Sequence, residues 1–177
     1  MKTLDSYITE KLVIGKNIIR KKIKVSTKDE LRSILEERLN EDKNANLNDL
    51  DVSQITDMSR LFKDLDPHNI KLDKWDVSNV ITMKSMFNGC ENLNADLSKW
   101  DVSQVEIMSY MFNDCKNFNS DLSQWEVSKV KFMDVMFYNC KNFNSDLSHW
   151  DVSNDTIMEY MFNGCQSLKN IPSWYVK

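Results

Sequence analysis

A single period governs this chain. Trp75, Trp100, Trp125 and Trp150 stand 25 residues apart, as do Cys90, Cys115, Cys140 and Cys165. Met58, Met83, Met108, Met133 and Met158 keep the same spacing, and so do Phe62, Phe87, Phe112, Phe137 and Phe162. The shared pattern reads W-D-V-S-x-V-x-x-M-x-x-M-F-N-x-C-x-N-F-N-x-D-L-S-x. Identical columns in one register make the repeat the first constraint on the fold. One 25-residue unit cannot bury its apolar side chains alone. Stacked units bury each column against its own copies, and three or more are needed for stability. The units run over residues 51–75, 76–100, 101–125, 126–150 and 151–174.

Each unit carries a strand signal. Over residues 93–98 apolar and small residues alternate with polar ones, which predicts Leu97 facing in and Asn94, Asp96 and Ser98 facing out. Residues 118–123 and 143–148 repeat the pattern, and 69–73 and 44–48 are degenerate copies. Strands stacked about 4.8 Å apart give one parallel sheet along one side, in a stack roughly 25 Å long. In the rest of the unit Val80, Met83, Phe87 and Cys90 step by three or four. That spacing predicts a tight, partly helical or 3₁₀ return path. Asp76 and Ser78 suit the bend between the two halves, where their side chains can bond nearby amides.

The ends must be capped, because an end unit otherwise exposes core and unpaired backbone. Residues 1–50 are expected to form an α/β N-terminal cap and residues 51–177 the stack. Thr27, Lys28, Asp29 and Glu30 make a capping-box pattern. It opens an amphipathic helix over 28–42 with Leu31, Ile34, Leu35 and Leu39 on one face. Residues 20–25 read as a short basic strand and 3–13 as a further helix. At the other end Trp174 follows Trp150 by 24 residues, and Pro172 stands where a strand is expected, a placement that blocks further pairing. So thin a cap leaves self-association through the C-terminal end open.

Met86 to Asn94 (M-F-N-G-C-E-N-L-N) and Trp75 to Val80 (W-D-V-S-N-V) resemble the BspA-type leucine-rich repeat proteins. More closely, they are similar to the 25-residue repeat of bacterial and mycoplasmal surface lipoproteins, over about residues 50–175. The resemblance implies an α/β repeat fold: a right-handed, leucine-rich-repeat-like solenoid of about five turns that serves adhesion or protein binding. The opening stretch from Tyr7 to Leu12 also resembles lead segments of gut-bacteriophage proteins, which implies a phage or prophage product. The N-terminus lacks the apolar core of a secretory signal and the lipobox of the surface members. No apolar run reaches membrane-spanning length, so no membrane insertion is expected. The expected location is the bacterial cytoplasm or the virion.

The residues offer little chemistry. Four cysteines in one column suit either a disulfide framework or a buried ladder of reduced thiols. The ladder is favoured, because the side chains of one column run parallel rather than converging. A line of thiols also cannot surround zinc. Asp96, Asp121 and Asp146 lack the glycine-rich context of calcium β-rolls and read as a solvated, turn-forming face. His149 lies beside Ser148 and near Asp151, but neighbours on a strand point to opposite faces, and its column otherwise holds Lys74, Lys99 and Gln124. His68, beside Pro67, carries no motif. There is no phosphate-cradling loop and no nucleophile elbow. The chain therefore reads as non-enzymatic, with no cofactor and no metal. The net charge of −4 divides into +5 over residues 1–25 and −9 over the rest. The basic residues Lys16, Arg20, Lys21, Lys22 and Lys24 lack interleaved aromatics, so a solvated cap face is favoured over nucleic-acid binding.

Comparing the copies locates a candidate face. The columns of Asn94, Asp96 and Ser98 scarcely change from unit to unit. Two others do: Asp57, Thr82, Ile107, Phe132, Ile157 and Arg60, Ser85, Tyr110, Val135, Tyr160. Tyr138 also replaces the asparagine of positions 88, 113 and 163. Toward the C-terminal units these columns become apolar and aromatic, the composition of interface cores. Ile107, Tyr110, Phe132, Val135, Tyr138, Ile157 and Tyr160 are thus either a partner-binding patch or half-buried filler beneath the caps. Asp155, in the column of Val80, Val105 and Val130, breaks the pattern. A protein-binding module with an unidentified partner is the favoured function. A self-associating virion or assembly component and a carbohydrate-binding module are the rivals.

Overall fold

Hydrogen bonds from each 25-residue unit to the next, rather than long strands, build this protein. The computed structural model describes residues 11–14, 17–20 and 22–175. In the first pair of units the N–H groups of Met58, Arg60 and Phe62 donate to the carbonyls of Thr82, Lys84 and Met86 at 2.8–2.9 Å. The next pair repeats the pattern from Met83, Ser85, Phe87 and Gly89 to Ile107, Ser109, Met111 and Asn113. It recurs up to the pair Asn139 and Asn163, at 2.7 Å. Parallel bridges link Asp57, Thr82, Ile107, Phe132 and Ile157 in one column. Within each unit short bonds such as Met86 N–H to Met83 C=O and Cys90 N–H to Phe87 C=O fold the path into tight turns.

Stacking of like on like fills the interior. Phe87, Phe112 and Phe137 form a ladder with ring centroids 5.5–5.6 Å apart, and Phe62 and Phe162 extend it at either end. Trp75 stacks on Trp100, and Trp125 on Trp150 and then Trp174. Each such ring pair contributes about 0.5–1.5 kcal/mol beyond its buried area. The buried indole N–H groups stay satisfied: Trp100 donates to Leu72 C=O and Trp125 to Leu97 C=O, at 3.0–3.1 Å. Cys90, Cys115, Cys140 and Cys165 are free thiols, each donating to the carbonyl of a phenylalanine in the preceding unit. Burial pushes the Cys90 thiol up to about 12. The column is therefore core rather than a reactive site.

Before the stack lie β1 (Lys11–Ile14), β2 (Asn17–Arg20), β3 (Ile23–Lys24), α1 (Lys28–Glu41) and, at its start, β4 (Leu50–Asp51). β1 and β2 pair antiparallel, and β3 pairs parallel with β4. Thr27 caps α1 by accepting from the Glu30 N–H, while the Glu30 carboxylate accepts from the Ser26 N–H. Leu31, Ile34, Leu35 and Leu39 are buried and belong to the same hydrophobic core as the repeat units. Arg38 grips Asp49 with two bonds, at 2.7 and 3.0 Å.

Several expectations change. The helix ends at Glu41 rather than 42. Residues 11–13 belong to β1, not to a helix, and 3–10 lie outside the described residues. The basic strand expected over 20–25 is divided between the end of β2 and the short β3. The parallel sheet expected along 93–98, 118–123 and 143–148 is absent. The bridges run instead through the column of Ile107 and Phe132, on the path read as the return. The reason lies in the polar side chains. Ser120 Oγ takes the Leu97 N–H, Ser145 Oγ takes the Leu122 N–H, and Asp96 takes the Ser98 N–H. Backbone groups satisfied by side chains need no ladder. Only the degenerate copies pair there, through a bridge between Asn46 and Lys71. Pro172 is buried in the inward column of Leu122 and Leu147 and guards no strand edge.

A candidate partner-binding face

The column of parallel bridges sets the first half of the face. It places Ile107, Phe132 and Ile157 on successive units, with Phe132 39% and Ile157 46% exposed. Three residues further along each unit comes the second half. Tyr110 is 37% and Tyr160 60% exposed, with Val135 half-buried between them. Ile107 and Tyr138 are half-buried as well. None of the seven is fully buried: Tyr110, Phe132, Ile157 and Tyr160 are exposed, and Ile107, Val135 and Tyr138 are half-buried.

The second column has unusual backbone. Arg60, Ser85, Tyr110, Val135 and Tyr160 all adopt positive φ, between 56° and 60°. This left-handed region costs an ordinary side chain about 1–2 kcal/mol. For a β-branched or bulky residue it is a true outlier. The conformation is forced by the inter-unit bonds: Tyr110 N–H must reach Asp134 C=O at 3.0 Å, and Val135 N–H must reach Glu159 C=O at 2.9 Å. The fold dictates the conformation; it does not dictate tyrosine or valine in it.

A groove of about 660 Å³ adjoins the face between the last two units, lined among others by Phe132, Ile157, Lys129, Lys131 and Asp155. Its origin is a local one-residue slip. In earlier units the inward valine closes the turn, as Val130 N–H does on Val127 C=O. In the last unit Thr156 N–H does so on Ser153 C=O, and Ile157 N–H rather than Thr156 N–H bonds Lys131 C=O. Asp155 cannot be buried uncharged-for in the valine column. It turns out to solvent, and Thr156 turns in with its hydroxyl on Val130 C=O at 3.0 Å. Among the described residues the Asp155 carboxylate has no ion-pair partner, whereas Lys131 pairs with Glu106 at 2.7 Å. Sequence reading noticed Asp155 without the groove it opens. It missed Ile81, 42% exposed beside the bridge column. The signal was present: Ile81 is the lone apolar residue in a column of Thr56, Glu106, Lys131 and Thr156.

The constant polar side is spent on itself. Asn94 donates to Asn69, Asn117 to Asn92 and Asn142 to Asn117, each across one unit. Together with His68 these asparagines line a shallow polar hollow of about 400 Å³. The carboxylates of Asp96, Asp121 and Asp146 lie below the usual range, held by bonds from Ser98, Ser123 and Ser148. Among the described residues no group of three or more His, Cys, Asp or Glu is placed to hold a metal ion. Nor is any helix long and apolar enough to cross a membrane.

A family model described as Mycoplasma protein of unknown function, DUF285, matches residues 29–131 and 56–175. No curated protein and no solved structure matches the chain.

Proposed function

The chain belongs to the Mycoplasma family of unknown function DUF285, and within that family we propose that it is a non-enzymatic protein-binding module. We read its stack as a right-handed, leucine-rich-repeat-like solenoid of the BspA type. The inter-unit bonds at one fixed offset and the aromatic ladders support that reading. The binding face is the two variable columns: Ile107, Phe132, Ile157 and Tyr110, Val135, Tyr160, with Tyr138 and Ile81 beside them.

One observation carries the proposal: bulky side chains occupy left-handed backbone at Tyr110, Val135 and Tyr160. Strain of this kind persists where it serves something other than stability. Exposed aromatic and branched side chains, held at fixed spacing, are the material of interface anchors. The asparagine side supports a carbohydrate reading less well, because its amides already bond one another. The phage or prophage origin, and action in a bacterial cytoplasm or a virion, rest on the resemblance of residues 7–12, of which 7–10 lie outside the described residues and Lys11 and Leu12 belong to β1.

The test compares the intact chain with the double variant Phe132→Asp, Tyr110→Asp as bait in bacterial lysate, with circular dichroism on both. A partner retained by the intact chain and lost from the folded variant is the expected result. Equal retention by both baits overturns the assignment of the face.

A further inference from the structure

Charge on the bridged side is ordered along the stack. That side presents the positions equivalent to 81, 82, 84 and 85 of the second unit. Some of their ionised groups are already paired within the monomer: Asp57 with Lys28 at 3.1 Å, and Lys131 with Glu106 at 2.7 Å. The others are Arg60 in the first unit, Lys84 in the second, Asp134 in the fourth and Glu159 in the fifth. Among the described residues none of these four has an ion-pair partner. Asp134 accepts the Ser109 hydroxyl at 2.5 Å. The side chains of Arg60, Lys84 and Glu159 are exposed and make no bond among the described residues. The third unit adds no unpaired charge, so the side runs from basic through neutral to acidic. Just outside these columns Lys63 in the first unit and Asp155 in the fifth carry the same signs at the same ends. Lys129, on the flank of the fourth, is held to Gln104 at 2.7 Å. Between the charged ends stand Ile81, Tyr110 and Phe132, 42%, 37% and 39% exposed, one in each of the second, third and fourth units.

We propose that a second copy of this chain covers the face, turned antiparallel about a two-fold axis through the third unit. The proposal rests on the protein-binding reading of that face and gives it a partner. The order of charge selects the occupant. A two-fold rotation reverses the sequence of units, so the basic units of each copy come over the acidic units of the other. Arg60 is brought to the end that carries Glu159, and Lys84 to the unit that carries Asp134, each twice in the dimer. A two-fold interface uses one patch on both copies, so the patch must complement itself. This one does so in charge at its ends and in apolar character at its centre. Tyr160, 60% exposed and next to Glu159, lies at the same acidic end, where an aromatic ring suits the Arg60 guanidinium of the other copy. Units spaced about 4.8 Å apart make a face roughly 25 Å long, short for the roughly 800 Å² per partner of a standard interface. The dimer is therefore weak and reversible, and its exposed charges make it salt-sensitive.

Sedimentation of the full chain at rising concentration and low salt reads the association. Arg60→Glu and Glu159→Lys are prepared separately, and each is run alone and then mixed with the other in equal amounts. Circular dichroism checks that both keep the fold. Each reversal sets like charges together twice in a dimer, so either variant alone should dimerise about tenfold more weakly than the intact chain. In the mixture the reversed charges face each other, and association should return to within about threefold of the intact chain. A chain that stays monomeric at every concentration overturns the dimer. So does a dimer that neither reversal weakens, and so does a mixture that associates no better than its components. Failure of the face itself is a separate result. A monomeric chain that captures a different protein, and loses it in the double variant at Phe132 and Tyr110, keeps the face and sinks the second copy.

Discussion

Two columns of this protein share a backbone conformation and little else. Asp64, Gly89, Asp114, Asn139 and Gly164 recur every 25 residues with φ between 58° and 81°. Arg60, Ser85, Tyr110, Val135 and Tyr160 recur with φ between 56° and 60°. The first column is filled by the residue types that left-handed backbone favours. The second has the same geometric demand and ignores it, most of all at Val135. Where sequence obeys the backbone, stability explains the choice. Where it does not, backbone preference leaves the choice unexplained, and at Tyr110, Val135 and Tyr160 this supports the proposed binding face.

Exchanging residue types between the columns tests this contrast. The largest effect is expected at Asn139→Val. It places a branched residue in left-handed backbone, and it removes the bond from Asn139 Nδ2 to Asp114 at 2.8 Å. Together these cost about 2–3 kcal/mol, read by chemical denaturation. An unchanged midpoint would mean that the backbone tolerates any residue and that the contrast carries no information. The reciprocal change, Val135→Asn, is expected to stabilise by about 0.5–1 kcal/mol, or a few degrees in Tm. Tyr160→Asn, at a more exposed position, should gain roughly 0.5 kcal/mol by the same relief.

The repeat and the inward columns were legible in the sequence because identical side chains must stack on themselves. Phe112, Trp125 and Cys140 are buried as their spacing requires. The capped helix was legible too, since Thr27 and Glu30 satisfy donors that every helix leaves open. The side of the unit that carries the bridges was not. Alternation over 93–98 marks which residues face in, but a strand also needs its backbone free to pair, and Ser120 and Asp96 occupy it. The positive φ values of the second column left no trace, because Tyr110 and Val135 are the last types one would place there. The groove beside Phe132 could be located only once Thr156 was seen to take the inward place of Asp155.

The smallest expected effect concerns the constant polar side, which the contrast treats as purely structural. Asp51 is held low chiefly by the Ser53 hydroxyl at 2.8 Å, and Asp96 and Asp101 by Ser98 and Ser103 in the same way. A carboxylate whose folded value is depressed contributes stability that is present above its unfolded value, about 3.9, and lost as pH falls through the folded value. Melting temperature should therefore decline as pH drops below about 4. Ser53→Ala should make that decline shallower. A decline just as steep in Ser53→Ala would remove this pair from the account of acid sensitivity.

The most direct measurement takes the double variant Tyr110→Asn, Val135→Asn, which suits both positions to their backbone. Its melting temperature and its capture of a partner from bacterial lysate are compared with those of the intact chain. A variant that melts at the same temperature or higher and no longer holds the partner is the predicted result. A variant that melts lower while holding the partner as well as the intact chain would show that these side chains serve the monomer, and would contradict the binding face.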